Sequence, residues 1–146
     1  MFKIKDCTNY EEAKELFVEY SKLKGAEQCF VSFDYELKNI DTVYPNGQIL
    51  IATYNNIPIG CVALKAIDST KCELKRLYLK EEFRGKGYSK VLFEGILNRA
   101  KELGFLEAEI YTLPEIMSIG YKMYLKYGFI EKSKDEGGTI FLTRNL

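Results

Sequence analysis

Two glycines and three cations stand close together in Arg84-Gly85-Lys86-Gly87-Tyr88-Ser89-Lys90, between a strand-like segment and a long amphipathic one. A helix start leaves its first amide N–H groups without partners and carries about half a positive charge. Glycine at 85 and 87 removes the Cβ atoms that would block approach to those amides, and lets successive N–H groups converge. With Arg84, Lys86 and Lys90 adding charge, the stretch suits a phosphate or pyrophosphate. It reads equally as a loop that needs glycine only to turn, with its basic residues facing water.

Other phosphate motifs fit worse. G-x-x-x-x-G-K-[ST] is missing, and G-x-G-x-x-G begins at Gly85 but meets Lys90 where its third glycine should stand. An RNA-binding strand of the R-G-F-G-F-V type would need an aromatic at Lys86 and a strand where a helical pattern continues. Histidine is absent from the chain, which removes Ser–His and Cys–His nucleophile pairs, H-E-x-x-H metal sites and any imidazole base. A general base must then be a carboxylate, a perturbed lysine or tyrosine, or a chain of water. Cys7, Cys29, Cys61 and Cys72 are widely spaced without a C-x-x-C pair. They read as reduced thiols, Cys61 in "GCVAL" as a buried one, and no metal is expected.

The elements that must position this chemistry follow from periodicity. Phe2 to Lys5 alternates as a strand. Thr8-Asn9-Tyr10-Glu11 fits a capping box with Thr8 as cap, ahead of a helix that faces inward through Ala13, Leu16, Phe17, Tyr20 and Leu23. A short helix is expected at Phe33 to Leu37. "QILIATY" and "IPIGCVALKAI" form a hairpin across Asn55-Asn56, and "KCELKRLYL" extends it to a meander. After the glycine loop, Val91, Leu92, Ile96, Leu97, Ala100 and Leu103 make the apolar stripe of a helix that stops at Gly104. Leu106 to Thr112 is the next strand. Pro114 opens another helix ending at Gly128, and Phe129 to Lys132 pairs with Thr139 to Thr143 across "DEGG". The class is mixed α/β, one domain over 1–146. Its central sheet is mostly antiparallel, and a right-handed crossover at the loop makes the flanking strands parallel neighbours.

Arg84-Gly85-Lys86-Gly87-Tyr88-Ser89 resembles the [RQ]-x-x-G-x-[GA] signature of the GNAT superfamily of acyl-CoA-dependent N-acetyltransferases. Ser89 stands where that family usually has glycine or alanine, and Glu81 where many members have proline. "ELKRLYLKEEFRGKG" resembles the strand and loop of many bacterial members. "IYTLPEIMSIGYKMYLKYGF" resembles their later strand and helix, in which a pattern like L-P-x-M…L-Y-x-x-x-G-F recurs. The likeness spans essentially the whole chain and is strongest from Glu73 to Phe129.

The resemblance implies a GNAT-like fold and acetyl-CoA as co-substrate. The amides of Arg84, Gly85, Lys86, Gly87, Tyr88 and Ser89 would hold its pyrophosphate. The exposed strand backbone around Leu77, Tyr78 and Leu79 would pair with pantetheine and polarise the thioester; the plain reading of those side chains is core packing. Tyr124 aligns with the tyrosine that protonates the departing thiolate, and reads otherwise as a packed helix tyrosine. Tyr121 and Tyr127 lie near the same face, so the motif and not the spacing selects Tyr124. For the base, Glu73 is the first candidate, on the expectation that it shares strand parity with Leu77 and Leu79. Asp34, Glu36 and a water-mediated route are alternatives.

The implied activity is acetyl transfer to a primary amine by direct attack in a ternary complex. The rival reading is a non-catalytic acyl-CoA sensor. Phe33 and Tyr35, in a segment mixing aromatics and acids, are candidate walls for a small-molecule or peptide amine. Lys plus Arg at 21 balances Asp plus Glu at 21, so nothing global points to nucleic acid or an anionic membrane. Without an apolar leader-like or membrane-length run, a cytoplasmic location is expected. The family resemblance also leaves room for a homodimer.

Overall fold

The computed structural model describes the backbone of residues 1–146 and every side chain except that of Ile119. Strand β1 (Phe2–Asp6) is followed by helix α1 (Tyr10–Ser21) and two short helices, α2 (Phe33–Lys38) and α3 (Ile40–Val43). Then come the meander β2 (Ile49–Tyr54), β3 (Ile57–Ala66) and β4 (Lys71–Leu79), the long helix α4 (Tyr88–Glu102) and β5 (Glu107–Thr112). Helix α5 (Ser118–Lys126) and the hairpin β6 (Ile130–Lys134) and β7 (Ile140–Asn145) complete the chain. One seven-stranded sheet runs in the order β1-β2-β3-β4-β5-β7-β6. Its β4–β5 pair is parallel and the other pairs are antiparallel. The mixed sheet with one parallel crossover at the glycine loop is the architecture that the pattern predicts.

Each face of the sheet is covered by helices, and alternation along the strands makes two cores. On one face Leu92, Phe93, Ile96, Leu97 and Ala100 of α4 meet Leu50, Val62, Leu64, Leu74 and Ile110. On the other, Ala13, Leu16, Phe17 and Tyr20 of α1 meet Ile49, Ile51, Cys61, Ala63 and Tyr78. The Asn55–Asn56 turn takes positive φ at both residues (51° and 68°), the twist a tight hairpin needs.

Several expectations shift. The α1 cap is Asn9, not Thr8: its side chain accepts from the Glu11 N–H at 3.0 Å. The helix therefore starts one residue later, at Tyr10, whose hydroxyl donates to the Tyr44 carbonyl at 2.7 Å. On α4, Val91 and Leu103 are exposed, and Phe93 takes the buried place. Pro114 lies in a turn and not in a helix. Met117 has non-helical dihedrals (φ −122°, ψ 45°) and holds the Tyr20 hydroxyl on its sulfur at 3.0 Å, so α5 begins only at Ser118.

Candidate active site

Strands β4 and β5 are paired only at Lys71–Glu107, Cys72–Ala108 and Glu73–Glu109. Beyond that they part, while β4 stays paired to β3 as far as Leu79. The cause is local to β4. Arg76 adopts φ 61°, rare for a residue with a side chain, and the β3–β4 register slips between Cys61 and Ala63. This is a β-bulge, which bends and twists the strand that carries it. It also reverses side-chain parity. Leu74, Leu77 and Leu79 join the core under α4, whereas Tyr78 joins the core under α1. Glu73 and Lys75 therefore point to the α1 face, 3.8 Å apart. The expected shared parity of Glu73 with Leu77 and Leu79 does not hold, because the extra residue of the bulge intervenes.

Backbone groups alternate as well. The Lys80 N–H is given to the Ile59 carbonyl across the β3 pair. The N–H and C=O groups of Leu77 and Leu79 consequently face the other way, into the gap left by β5. Such a strand edge, unpaired except at the Leu79 carbonyl, which accepts from Arg84, suits an extended, amide-bearing ligand.

At the end of β4, Gly85 and Gly87 both take left-handed φ (80° and 84°), and a Cβ at either would meet nothing within 4 Å. Among the described residues no backbone carbonyl accepts from the N–H groups of Gly85 to Lys90, and Gly87 caps α4 without any side-chain bond. The result is an open row of amides at a helix N-terminus, the arrangement that receives an anion. Arg84, expected in that row, is not part of it: its N–H donates to the Glu81 carbonyl at 3.1 Å, and its Nε turns back to the Leu79 carbonyl at 2.8 Å. Tyr88 is pinned by stacking on Phe2, with ring centroids 4.0 Å apart, and Ser89 is half-buried in the first turn.

The gap between β4 and β5 opens into a cavity of about 350 Å³. Leu74, Leu77, Phe93, Ile110, Thr112 and Tyr124 line its α4 side, and Glu73, Lys75, Arg76 and Tyr111 its α1 side. Of the two tyrosines on α5 and the one that caps its end, Tyr124 reaches this space. Tyr121 donates outward to Glu131 at 2.8 Å, and Tyr127 packs against Phe93. Burial pushes the Tyr124 phenol above its ordinary value, which keeps it a proton donor. Gly120, one turn earlier, leaves it room, since a Cβ there would sit 3.3 Å from its oxygen. Burial likewise holds the Lys75 ammonium below its ordinary value, against the pull of Glu73. Cys61 is buried, and desolvation raises its thiol.

Residues 10–129 match the acetyltransferase (GNAT) family. The chain belongs to that family. An N-acetyltransferase of Schizosaccharomyces pombe is 30% identical over 123 residues, covering 82% of this chain and 75% of its own. A spermidine N(1)-acetyltransferase of Thermoplasma acidophilum is 38% identical over 84 residues, 58% of this chain and 50% of its own. Among solved structures, a PaiA N-acetyltransferase from the same archaeon, in complex with coenzyme A, shares the fold with a TM-score of 0.72. It is 24% identical over 100% of this chain and 99% of its own.

In this GNAT acetyltransferase the aromatic-acidic segment does something the sequence did not suggest. Phe33 and Tyr35, expected as walls for an acceptor, do not line the cavity. Tyr35 is 64% exposed, and Phe33 packs edge-on against Phe30. Helix α2 instead turns Glu36 inward, 6% exposed, to form a bidentate ion pair with Arg76 at 2.8 and 2.6 Å. Tyr44 donates to Glu36 at 2.9 Å, Arg76 also donates to the Cys29 carbonyl at 3.0 Å, and the guanidinium lies 4.1 Å from the Phe30 ring centre. Burial works to raise the Glu36 carboxyl, but its bonds to Arg76 outweigh that and hold it below the usual range. Glu36 is thereby committed to the bulge, and Asp34 lies exposed. The one available signal was Arg76 directly after Lys75, two charged residues in a row within an alternating strand.

Proposed function

We propose that this chain transfers an acetyl group from acetyl-CoA to a primary amine by direct attack within a ternary complex. The observation that carries the reading is the split between β4 and β5. It joins an open row of helix-start amides to a cavity lined by the half-buried Tyr124 phenol. The amides of Gly85 to Lys90 receive the pyrophosphate, with Lys86 and Lys90 adding charge. The edge groups of Leu77 and Leu79, with Tyr78 between them, pair with the pantetheine arm. The Leu77 N–H supports the charge that develops on the thioester oxygen.

The amine lone pair attacks the thioester carbon and forms the C–N bond, and the C–S bond then breaks with its electrons on sulfur. Tyr124 supplies a proton to that thiolate and recovers one from solvent. The proton shed by the amine leaves on the α1 side, where Glu73 is the candidate acceptor, directly or through water. Cys61, buried with a raised thiol, offers no route to an acyl-enzyme. The spermidine acetyltransferase among the relatives supports a small-molecule amine as acceptor.

Free-thiol release from acetyl-CoA, measured against amino acids, polyamines, aminoglycosides and peptide N-termini, tests the reaction and reads the acceptor. Tyr124→Phe should lower kcat by about 100-fold or more while the protein still folds. Full turnover by that variant would remove Tyr124 from the chemistry. Acetyl-CoA should raise the melting temperature, as a ligand held at about 100 times its Kd adds about 2.7 kcal/mol to stability. An unmoved midpoint would speak for a loop that only turns.

A further inference from the structure

The Thr112 side chain is 1% exposed, lines the cavity, and its Oγ1 has no hydrogen-bond partner among the described residues. A buried hydroxyl left unpaired costs about 1–3 kcal/mol, so a fold that keeps one is usually keeping it for something else. Its position says for what. Thr112 stands three residues beyond Glu109, the last β5 residue paired with β4, so it is level with Arg76 and the bulge across the gap. It shares parity with Ile110, in the core under α4, and so lies on the Tyr124 side of the sheet. The groups suited to an amine acceptor, Glu73, Lys75 and Tyr111, lie on the other side.

Resting on the acetyl-transfer reading, we propose that the Thr112 hydroxyl is a second hydrogen-bond donor to the thioester sulfur, acting beside Tyr124 on the departing thiolate. As the C–S bond breaks and its electron pair passes to sulfur, Thr112 donates a hydrogen bond but no proton. Tyr124 supplies the proton, and the amine's proton goes to the opposite side. A bond to the charged sulfur is stronger than one to the neutral thioester, so it acts on the transition state more than on the ground state.

Thr112→Val removes the hydroxyl while keeping the side chain's shape, and Thr112→Ser keeps the hydroxyl. Without ligand, T112V should melt at or above the wild-type temperature, because it deletes a group the fold leaves unpaired. Its kcat and kcat/KM should both fall by about tenfold, with T112S near wild type. Binding separates sulfur from the rest of the cofactor. Wild type should gain more stability from coenzyme A than from desulfo-coenzyme A, and T112V should narrow that difference to what Tyr124 alone supplies. A T112V protein that melts several degrees low without ligand would show the hydroxyl to be satisfied within the fold, and would overturn the proposal. Wild-type turnover, or an equal loss of binding for both cofactors, would overturn it too. Failure of wild type to bind either cofactor would instead strike the acetyl-transfer reading itself.

Discussion

The glycine loop and the Arg76 bulge serve the same strand and are built in opposite ways. At Gly85 to Ser89 the working groups are backbone amides that stay open because nothing in the fold uses them. At Arg76 every working group is used: carboxylate, guanidinium, phenol and carbonyl from α2, β4 and the segments beside them close on one another below the surface. An open site keeps its binding capacity for a ligand and adds little to stability. A closed one spends its capacity on holding β4 bent, and the bend is what parts β4 from β5. The contrast predicts that the two regions respond to substitution in different observables.

The largest effect on stability should come from Glu36→Gln. Removing one partner from a buried ion pair leaves the other charge uncompensated, at a cost of about 3–5 kcal/mol. Combining it with Arg76→Met should recover part of the loss, since the pair is then replaced as a unit. Denaturant titration of the three proteins checks this; a single variant as stable as wild type would mean that the bulge stands without its clamp. The same pair sets a pH limit. The Glu36 carboxyl is held below its ordinary value, so its contribution is complete above the unfolded carboxylate pKa of about 4.3 and is lost as pH falls through the lower folded value. The stability gap between wild type and E36Q should therefore be flat near neutrality and narrow in acid.

Gly60→Ala should come next. A Cβ there would sit 2.7 Å from the Tyr78 carbonyl oxygen and 2.9 Å from Leu79 Cδ1, inside the β3–β4 pair. The strands must move apart, at about 1–3 kcal/mol. Because Leu79 belongs to the edge proposed for pantetheine, G60A should weaken the acetyl-CoA thermal shift together with the apo stability. It links the two regions, and a loss of stability with cofactor binding intact would show them to be independent.

What was legible in the sequence follows the same division. The glycine loop, the Asn55–Asn56 hairpin and the α1 stripe from Ala13 to Tyr20 are written in consecutive or periodically spaced residues and stand in the structure where the pattern puts them; the α4 stripe does so except at Val91 and Leu103, which are exposed. The bulge is not written that way. Lys75-Arg76-Leu77 puts two charged residues in a row, a break that does not by itself say which residue is extra, and pairing with β3 does. Misjudging it by one position carried Glu73 to the wrong face of the sheet relative to Leu77. Glu36 and Arg76 lie 40 residues apart, so no local pattern couples them. Thr112 was hidden for a third reason: a hydroxyl is singled out by what it lacks, and a missing partner is visible only once the neighbours are placed.

Gly87→Ala should have the smallest effect on folding and gives the sharpest contrast with E36Q. The added Cβ meets no atom within 4 Å, so the cost is confined to a left-handed φ of 84°, about 1 kcal/mol. The same methyl group stands at the cap of α4, beside the open amides of Tyr88, Ser89 and Lys90, where a pyrophosphate oxygen must come close. Melting without ligand should drop by only a few degrees, while the upward shift with acetyl-CoA should largely disappear. E36Q should show the reverse order, a large loss without ligand and a cofactor shift that survives wherever the protein is folded. If G87A kept the full cofactor shift, the two glycines would be there only to turn the chain, and the amides at the start of α4 would have lost their claim to the phosphates.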